Sequence, residues 1–297
     1  MQESILSYRR LRYLWAASAL AAIAIVAYAI HEPSEPPNGG TWLGYTLGGI
    51  GAVLILVLAA FGRRKRAYSS TLGSVQGWLS AHVYLGVALV VIATLHAGFQ
   101  FGWNVHTLSY VLTCVVVASG VVGVWFYLRY PGLMSRNRAA QTRDQMLGEL
   151  ADLDRLCARQ AALLGGEYPE VIMSARDRAA LGGGAFALLA GRDRSRVVLP
   201  AAQRGGADQA HALPNPSQSR LLDWLGHQLA ESTDGERTRQ IHELMTLTGA
   251  RRSLLDRLRR DAQIRAWLRT WLYVHVPATT ALVAALVAHV IVVFLYW

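Results

Sequence analysis

Five long apolar runs constrain the fold of this chain more than any other feature. Each is about the length of a bilayer-spanning helix, roughly 20 residues, and none contains an acidic residue, a lysine or an arginine. The runs are Leu14–Ile30, Trp42–Phe61, Trp78–Phe99, Leu108–Leu128 and Leu272–Trp297. In addition, 53% of the 297 residues are hydrophobic and only 16% are charged, which is too apolar for an ordinary soluble protein. We therefore predict an all-α fold, a polytopic membrane helix bundle with five transmembrane helices.

Basic residues are distributed unevenly between the segments that join these runs. The net charge is +10, yet segments 31–41 and 100–107 contain no arginine or lysine, whereas residues 62–66 and 129–269 are rich in them. This asymmetry follows the positive-inside rule and predicts a multi-pass protein of a bacterial-type inner (cytoplasmic) membrane. The N-terminus is then cytoplasmic and Trp297 extracytoplasmic. Because the basic residues flank spans, we expect no nucleic-acid partner, and we interpret the first run as a retained helix rather than a signal peptide.

The segment between the fourth and fifth runs is mainly polar and predicts a helical cytoplasmic insertion. We expect three domains: residues 1–130 with spans one to four, the insertion over 131–267, and residues 268–297 with span five. Apolar residues at helical spacing predict one insertion helix that ends at the glycine pair 165–166 and a second in "SRLLDWLGHQLAE". No proline interrupts the chain from Glu236 into span five, so a last helix is expected to continue into that span.

The middle of the insertion, residues 165–218, is rich in glycine and proline and is expected to be irregular. Within it, "GAFALLAGRDRSRVVLP" predicts a short hairpin centred on "GRDRS". Cys114 and Cys157 lie in different compartments in this topology, so we expect no disulfide between them.

Four histidines in two of the spans form the pattern that carries chemistry. His82 and His96 are fourteen residues apart in span three, and His275 and His289 are fourteen apart in span five. Fourteen residues of α-helix rise about 21 Å through almost four full turns, so both histidines of each span share one helix face. Spans three and five run in the same direction across the membrane. His82 is therefore level with His275, which we call the inner pair, and His96 with His289, the outer pair.

Two level imidazoles on facing helices can ligate one iron from opposite sides of a planar macrocycle. We therefore predict two haems b, with His82 and His275 ligating the inner iron and His96 and His289 the outer iron. A lone intramembrane histidine more often joins helices or carries protons, but four in two matched pairs favour haem. Gly86, four residues after His82, is a candidate cofactor-binding residue, because a glycine lets a flat ring approach the backbone.

These histidines resemble the ligands of membrane b-type cytochromes, in which two His-x13-His helices separated by one other helix hold two haems. The cytochrome b subunit of quinol:cytochrome c complexes is similar, and so is the ferric-reductase-like transmembrane domain shared with NADPH oxidases. The resemblance covers spans two to five. It implies that His82, His96, His275 and His289 are the axial ligands of a di-haem electron-transfer bundle.

The flavin and nicotinamide domains of those reductases have no counterpart here, because residues 131–267 contain no G-x-G-x-x-G and no flavin motif. We therefore expect no catalytic residues and an electron-transfer subunit of an oxidoreductase complex, with other redox subunits as partners. The donor would be quinol or a cytoplasmic carrier, and the acceptor an extracytoplasmic protein such as a c-type cytochrome. Two alternatives stay open: a haem-binding scaffold or assembly factor, and a proton-coupled transporter that uses the histidines as a relay.

The insertion has no ligand set, so we expect a docking surface rather than a second site. Its densest basic stretch contains five arginines that could face water, anionic lipid headgroups or an acidic partner. They are Arg251, Arg252, Arg257, Arg259 and Arg260.

Overall fold

Nine helices account for almost all of the regular structure in the part of the chain that is described. The structure is a computed structural model, which describes residues 5–32, 39–66, 73–138, 141–200 and 212–295. The helices are α1 (Tyr8–Ile30), α2 (Trp42–Arg66), α3 (Val75–His96), α4 (Val105–Arg138), α5 (Arg143–Leu164), α6 (Tyr168–Asp177), α7 (Ala185–Leu189), α8 (Ser219–Glu231) and α9 (Gly235–Leu295). Trp297 and most of the loop before α2 lie outside the described residues.

Five of the described helices are long and apolar enough to cross a membrane. They are α1, α2, α3, α4 and α9, and they confirm the prediction of an all-α bundle with five spans. The predicted fourth span ended at Leu128, but α4 continues for ten further residues to Arg138. Helix α9 is 61 residues long and includes Pro277, so the insertion helix does run unbroken into the last span, as predicted.

The chain divides into two units. The first, the membrane unit, comprises residues 1–127 and 270–297, and the second, the insertion unit, comprises 128–269. In the membrane unit, α3 packs closely against α1 and α2. The buried side chains at this contact include Ile92 and Leu95 on α3 with Leu43 and Leu47 on α2, and between membrane helices such contacts stabilise through close van der Waals packing.

The insertion unit has its own apolar core, formed mainly by α5, α6, α8 and the first turns of α9. Trp224 and Leu225 on α8 pack there with Ile241 and Leu244 on α9. Helix α5 begins at a capping box between Thr142 and Gln145 and ends before Gly165, which has a φ of 66°. Both predicted insertion helices are confirmed, since α5 ends at the glycine pair and α8 spans Ser219–Glu231.

The predicted hairpin around "GRDRS" is wrong. The residues before it form the short helix α7, and the strand β1 (Arg196–Val197) pairs antiparallel with β2 (Leu213–Pro214), much later in the chain. The carboxylate of Asp193 explains the difference, because it accepts hydrogen bonds from the backbone N–H groups of Ser195 and Ser217. These bonds tie the turn to the segment that follows β2 instead of to a neighbouring strand. Helix α6 was also missed, in a segment whose glycines and prolines predicted irregular structure.

Candidate functional site

The outer histidine pair is brought together in the membrane unit. The ring centres of His96 on α3 and His289 on α9 lie 5.9 Å apart, with ring planes at 80°. Since a metal–imidazole bond is about 2.0 Å long, two imidazoles bound to opposite sides of one metal ion have ring centres about 6 Å apart. The ring separation of His96 and His289 is close to this distance.

A hydrogen bond fixes the tautomer of His96. Its Nδ1 lies 2.8 Å from the carbonyl oxygen of Gly44 on α2, and a carbonyl can only accept, so Nδ1 carries the proton. The lone pair of the neutral ring is then on Nε2, the atom that binds a metal when Nδ1 is held in this way. Gly48, one turn after Gly44, makes this approach possible, because a Cβ there would lie 2.7 Å from His96 Cε1.

Helix α2 runs antiparallel to α3 and lies beside His82 as well as beside His96. Gly44 and Leu58 are fourteen residues apart on α2, as His96 and His82 are on α3. The Leu58 backbone carbonyl interacts with the His82 imidazole, while His82 Nδ1 makes no hydrogen bond within the described residues. The ring of Phe61 packs against His82 with a centre-to-centre distance of 5.2 Å. One backbone helix thus lies behind both histidines of α3.

For the inner pair, no hydrogen bond or ring contact joins His82 and His275 in the part of the chain that is described, and His275 is positioned by α4. His275 Nδ1 lies 2.7 Å from Ser119 Oγ on α4. The Ser119 hydroxyl hydrogen is donated to the Val116 carbonyl, 2.8 Å away, so Oγ accepts from His275 Nδ1–H. His275 therefore has the same tautomer as His96, with its lone pair on Nε2.

Trp271 locks the position of His275 from the preceding turn of α9. Its indole stacks on the His275 ring at 5.4 Å, and its Nε1–H donates to the Ser119 carbonyl at 2.8 Å. The indole lies against the backbone of Gly123, where any Cβ would overlap it. The side chains of Trp271 and His275 thus pack against Ser119 and Gly123 of α4. Gly123 allows the two helices to approach each other closely.

An apolar layer separates the two pairs. Leu89 lies midway between His82 and His96, Leu282 lies midway between His275 and His289, and both are buried in one cluster with Ile55. Gly86 is buried too, yet no atom lies within 4 Å of the position that its Cβ would occupy. Open space beside a buried glycine on the histidine face is a cradle of the kind that a flat ring requires. The open space beside Gly86 therefore fits a flat cofactor near His82.

Two imidazoles alone leave most positions around a metal ion empty. Among the residues that the structure describes, no group of three or more His, Cys, Asp and Glu side chains could hold a metal ion. A metal at either pair would thus need a ligand that brings its own donor atoms, as a porphyrin does.

Four residues that contact the histidines were not predicted from the sequence: Gly44, Gly48, Leu58 and Ser119. The sequence of α2 does contain a pattern that matches the histidines. Gly48 and Gly62 are fourteen residues apart, and they follow by four residues the two residues whose carbonyl groups contact the histidines, Gly44 and Leu58. Nothing in the sequence singled out Ser119. His106 is exposed, and its ring also lies 4.3 Å from that of His289.

The five arginines proposed as a docking surface have different environments. Arg251 is buried and paired with Asp154 at 2.5 Å, and Arg259 pairs with Asp193 and Asp256. Arg257 donates to the carbonyl groups of residues 137 and 138 at the end of α4. These three arginines hold the insertion unit together through contacts with its own residues.

Arg252 and Arg260 remain exposed. They flank an open groove of about 360 Å³ that Arg257 also lines. Neither side chain forms an ion pair with the described residues.

Comparison of the sequence with protein-family models finds no matching family, and comparisons with curated proteins and with solved structures find no match either. The resemblance to b-type cytochromes is therefore a hypothesis that rests on the four histidines and their spacing.

Proposed function

We propose that this chain carries electrons across a membrane through two haems b, each held between one histidine of α3 and one of α9. The observation that carries the proposal is the arrangement of the four imidazoles. They form two pairs, and His96 and His275 are fixed in the tautomer that leaves Nε2 free to ligate. Bound between two imidazoles, haem iron supplies a one-electron couple and has no open position for a substrate.

The surrounding residues favour electron transfer over hydrolytic or transport chemistry. Leu89, Leu282 and Ile55 form an apolar cluster between the pairs, and apolar side chains cannot relay a proton. Gly44 and Ser119 each accept an Nδ1–H, which holds a ligand ring still and limits the rearrangement that accompanies a change of charge. These features support the electron-transfer proposal over the proton-coupled transporter.

The first test counts haems and assigns them. Purified protein should contain two non-covalent haems per chain in a pyridine haemochrome assay. His82→Ala and His275→Ala should lose the same haem, and His96→Ala and His289→Ala the other. His242→Ala, in an exposed position of the insertion unit, is the matched control and should keep both. A wild-type protein with one haem or none contradicts the di-haem proposal.

The second test separates electron transfer from a haem-binding scaffold. Protein reconstituted in vesicles loaded with ferricyanide should reduce it when dithionite is added outside, and each histidine variant that loses a haem should fail to do so. A scaffold would retain both haems and leave the trapped ferricyanide oxidised.

We place the protein in a bacterial-type inner membrane as a subunit or partner of a redox chain. Quinol or a cytoplasmic carrier would be the donor, and an extracytoplasmic acceptor such as a c-type cytochrome would receive the electron. Arg252 and Arg260 are the residues of the insertion unit best suited to dock an acidic redox partner, since their charge is not neutralised by ion pairs within it.

Charge reversal tests this docking surface. Arg252→Glu with Arg260→Glu should slow haem reduction in isolated membranes supplied with a respiratory substrate, without loss of haem. Arg143→Glu with Arg159→Glu makes the same change of charge at exposed positions of α5 and should have little effect. Equal rates in both double variants would rule out the groove as the docking surface.

A further inference from the structure

His106 lies beside a proposed haem ligand, His289, and has no role in the proposed function. Helices α4 and α9 run antiparallel in the membrane unit, and Ser119 on α4 contacts His275 on α9. Fourteen residues further along α9 is His289, and fourteen residues back along α4 is residue 105, directly before His106. His106 is therefore close to the level of His289 in the bundle. Its ring centre lies 4.3 Å from that of His289, with the planes at 90°.

His289 has a polar atom that needs a partner. Its Nδ1 is buried and makes no hydrogen bond with the described residues. When Nε2 of a neutral imidazole binds a metal, Nδ1 carries the proton, so His289 has a buried N–H that must be donated. A buried N–H group without an acceptor destabilises the folded protein. A neighbouring side chain that accepts this hydrogen bond would therefore stabilise His289 in its ligating tautomer.

Of the two imidazoles that contact His289, only His106 is available. The Nδ1–H of His96 is already donated to Gly44, and its Nε2 faces the metal position in the proposed function. The His106 side chain is exposed and has no hydrogen bond to the described residues, so it can turn about its side-chain torsions. A neutral imidazole has one unprotonated ring nitrogen, which is a good acceptor.

We propose that His106 is a positioning residue of the outer haem site and accepts the Nδ1–H of His289. This inference rests on the proposed function and deepens it. His106 orients the His289 ring and, by drawing on its Nδ1 proton, makes Nε2 a more basic ligand. A more basic ligand stabilises the oxidised iron, so His106 lowers the midpoint potential of the outer haem. Ser119 has the corresponding effect on the inner haem.

The test compares His106→Leu with His106→Asn in the full-length protein. Leucine removes the acceptor, whereas the asparagine side-chain carbonyl restores one. Redox titration followed by the haem spectrum should show a higher outer midpoint potential in His106→Leu, a return towards the wild-type value in His106→Asn, and no change of the inner haem. Ser119→Ala is the matched control and should shift the inner haem only.

Each other outcome is decisive. If His106→Leu loses the outer haem and His106→Asn keeps it, the acceptor role is supported, because only the hydrogen-bonding group differs between them. An unshifted outer potential in His106→Leu overturns the proposal, and so does loss of the outer haem in both variants, since the ring itself would then be required. Wild-type protein that binds no haem overturns the proposed function, a result distinct from failure of the His106 role alone.

Discussion

Ser119 Oγ and His275 Nδ1 are joined by a 2.7 Å hydrogen bond between helices α4 and α9. The two residues are 156 positions apart in the sequence, and the insertion unit lies between them along the chain. The bond thereby joins two spans that are distant in sequence and fixes the position of His275 against α4.

Removing this hydroxyl should weaken the inner site alone. In Ser119→Ala the His275 Nδ1–H loses its acceptor, and loss of such a supporting hydrogen bond typically costs about 10-fold or more in affinity. We expect faster transfer of the inner haem to apomyoglobin, measured by absorbance. Ser119→Thr keeps a hydroxyl and should behave like the wild type. Equal haem loss from both variants would show that side-chain volume, not hydrogen bonding, matters at this position.

A methyl group at Gly48 should displace His96. Its Cβ would lie 2.7 Å from His96 Cε1 and 2.9 Å from Nδ1, closer than non-bonded atoms approach. Gly48→Ala should therefore lower outer haem content while the inner haem persists, as measured by the haemochrome assay. Gly49→Ala is a matched control, because no atom lies within 4 Å of its Cβ position. Full outer haem content in Gly48→Ala would contradict the close contact with His96.

A buried carboxylate in the insertion unit should be important for stability. Asp261 is fully buried between Arg138 of α4 and Arg265 of α9, at 2.6 and 2.5 Å. Asp261→Asn leaves both arginines without a counter-ion and should lower the free energy of unfolding by about 3 kcal/mol. Thermal unfolding followed by circular dichroism measures this. Asp152→Asn breaks only an exposed pair with Arg155 and should cost less than about 1 kcal/mol.

Cys157 should be slow to react and should make stability depend on pH. Burial raises the pKa of its thiol above the ordinary value of 9.0, despite the opposing charge of Arg251. The unfolded thiol therefore ionises first as pH rises, and the folded state loses stability above pH 9.0. In a Cys114→Ser background, alkylation by iodoacetamide should be slow until denaturant is added. Rapid alkylation of the folded protein at neutral pH would contradict the buried thiol.

A reporter can test the predicted orientation. Because α9 contains a single span, its two ends should lie on opposite sides of the membrane. Alkaline phosphatase, which is active only outside the cytoplasm, should be active when fused after Trp297 and inactive when inserted after residue 205. The reverse result would invert the topology that the arginines predict.

The bundle could be predicted because its signals are local. Apolar runs about 20 residues long specify spans, and the absence of proline before span five predicted the continuity of α9 from Gly235 to Leu295. Local sequence signals could not predict the structure around "GRDRS". Its outcome depends on Asp193, whose carboxylate binds the backbone N–H of Ser217, a partner distant in sequence.

The histidines could be found from sequence because fourteen residues bring a helix back to one face, which is a property of a single helix. Their supporting residues depend on contacts between helices. Ser119 is one hydroxyl among several in the spans, and only the register of α4 against α9 places it at His275. The arginines of α9 show the same limit, since Arg251 and Arg252 are neighbours in sequence but one is buried against Asp154 and the other is exposed.

The contact between His96 and the Gly44 carbonyl has a consequence for how this chain tolerates mutation. The acceptor is a peptide group, which every amino acid supplies, so no exchange of the residue 44 side chain can delete it. What the site requires of α2 is the absence of bulk one turn later, at Gly48. The residue at position 44 can therefore change without loss of the acceptor, provided that Gly48 stays small and that Leu43 and Leu47 keep their contact with α3.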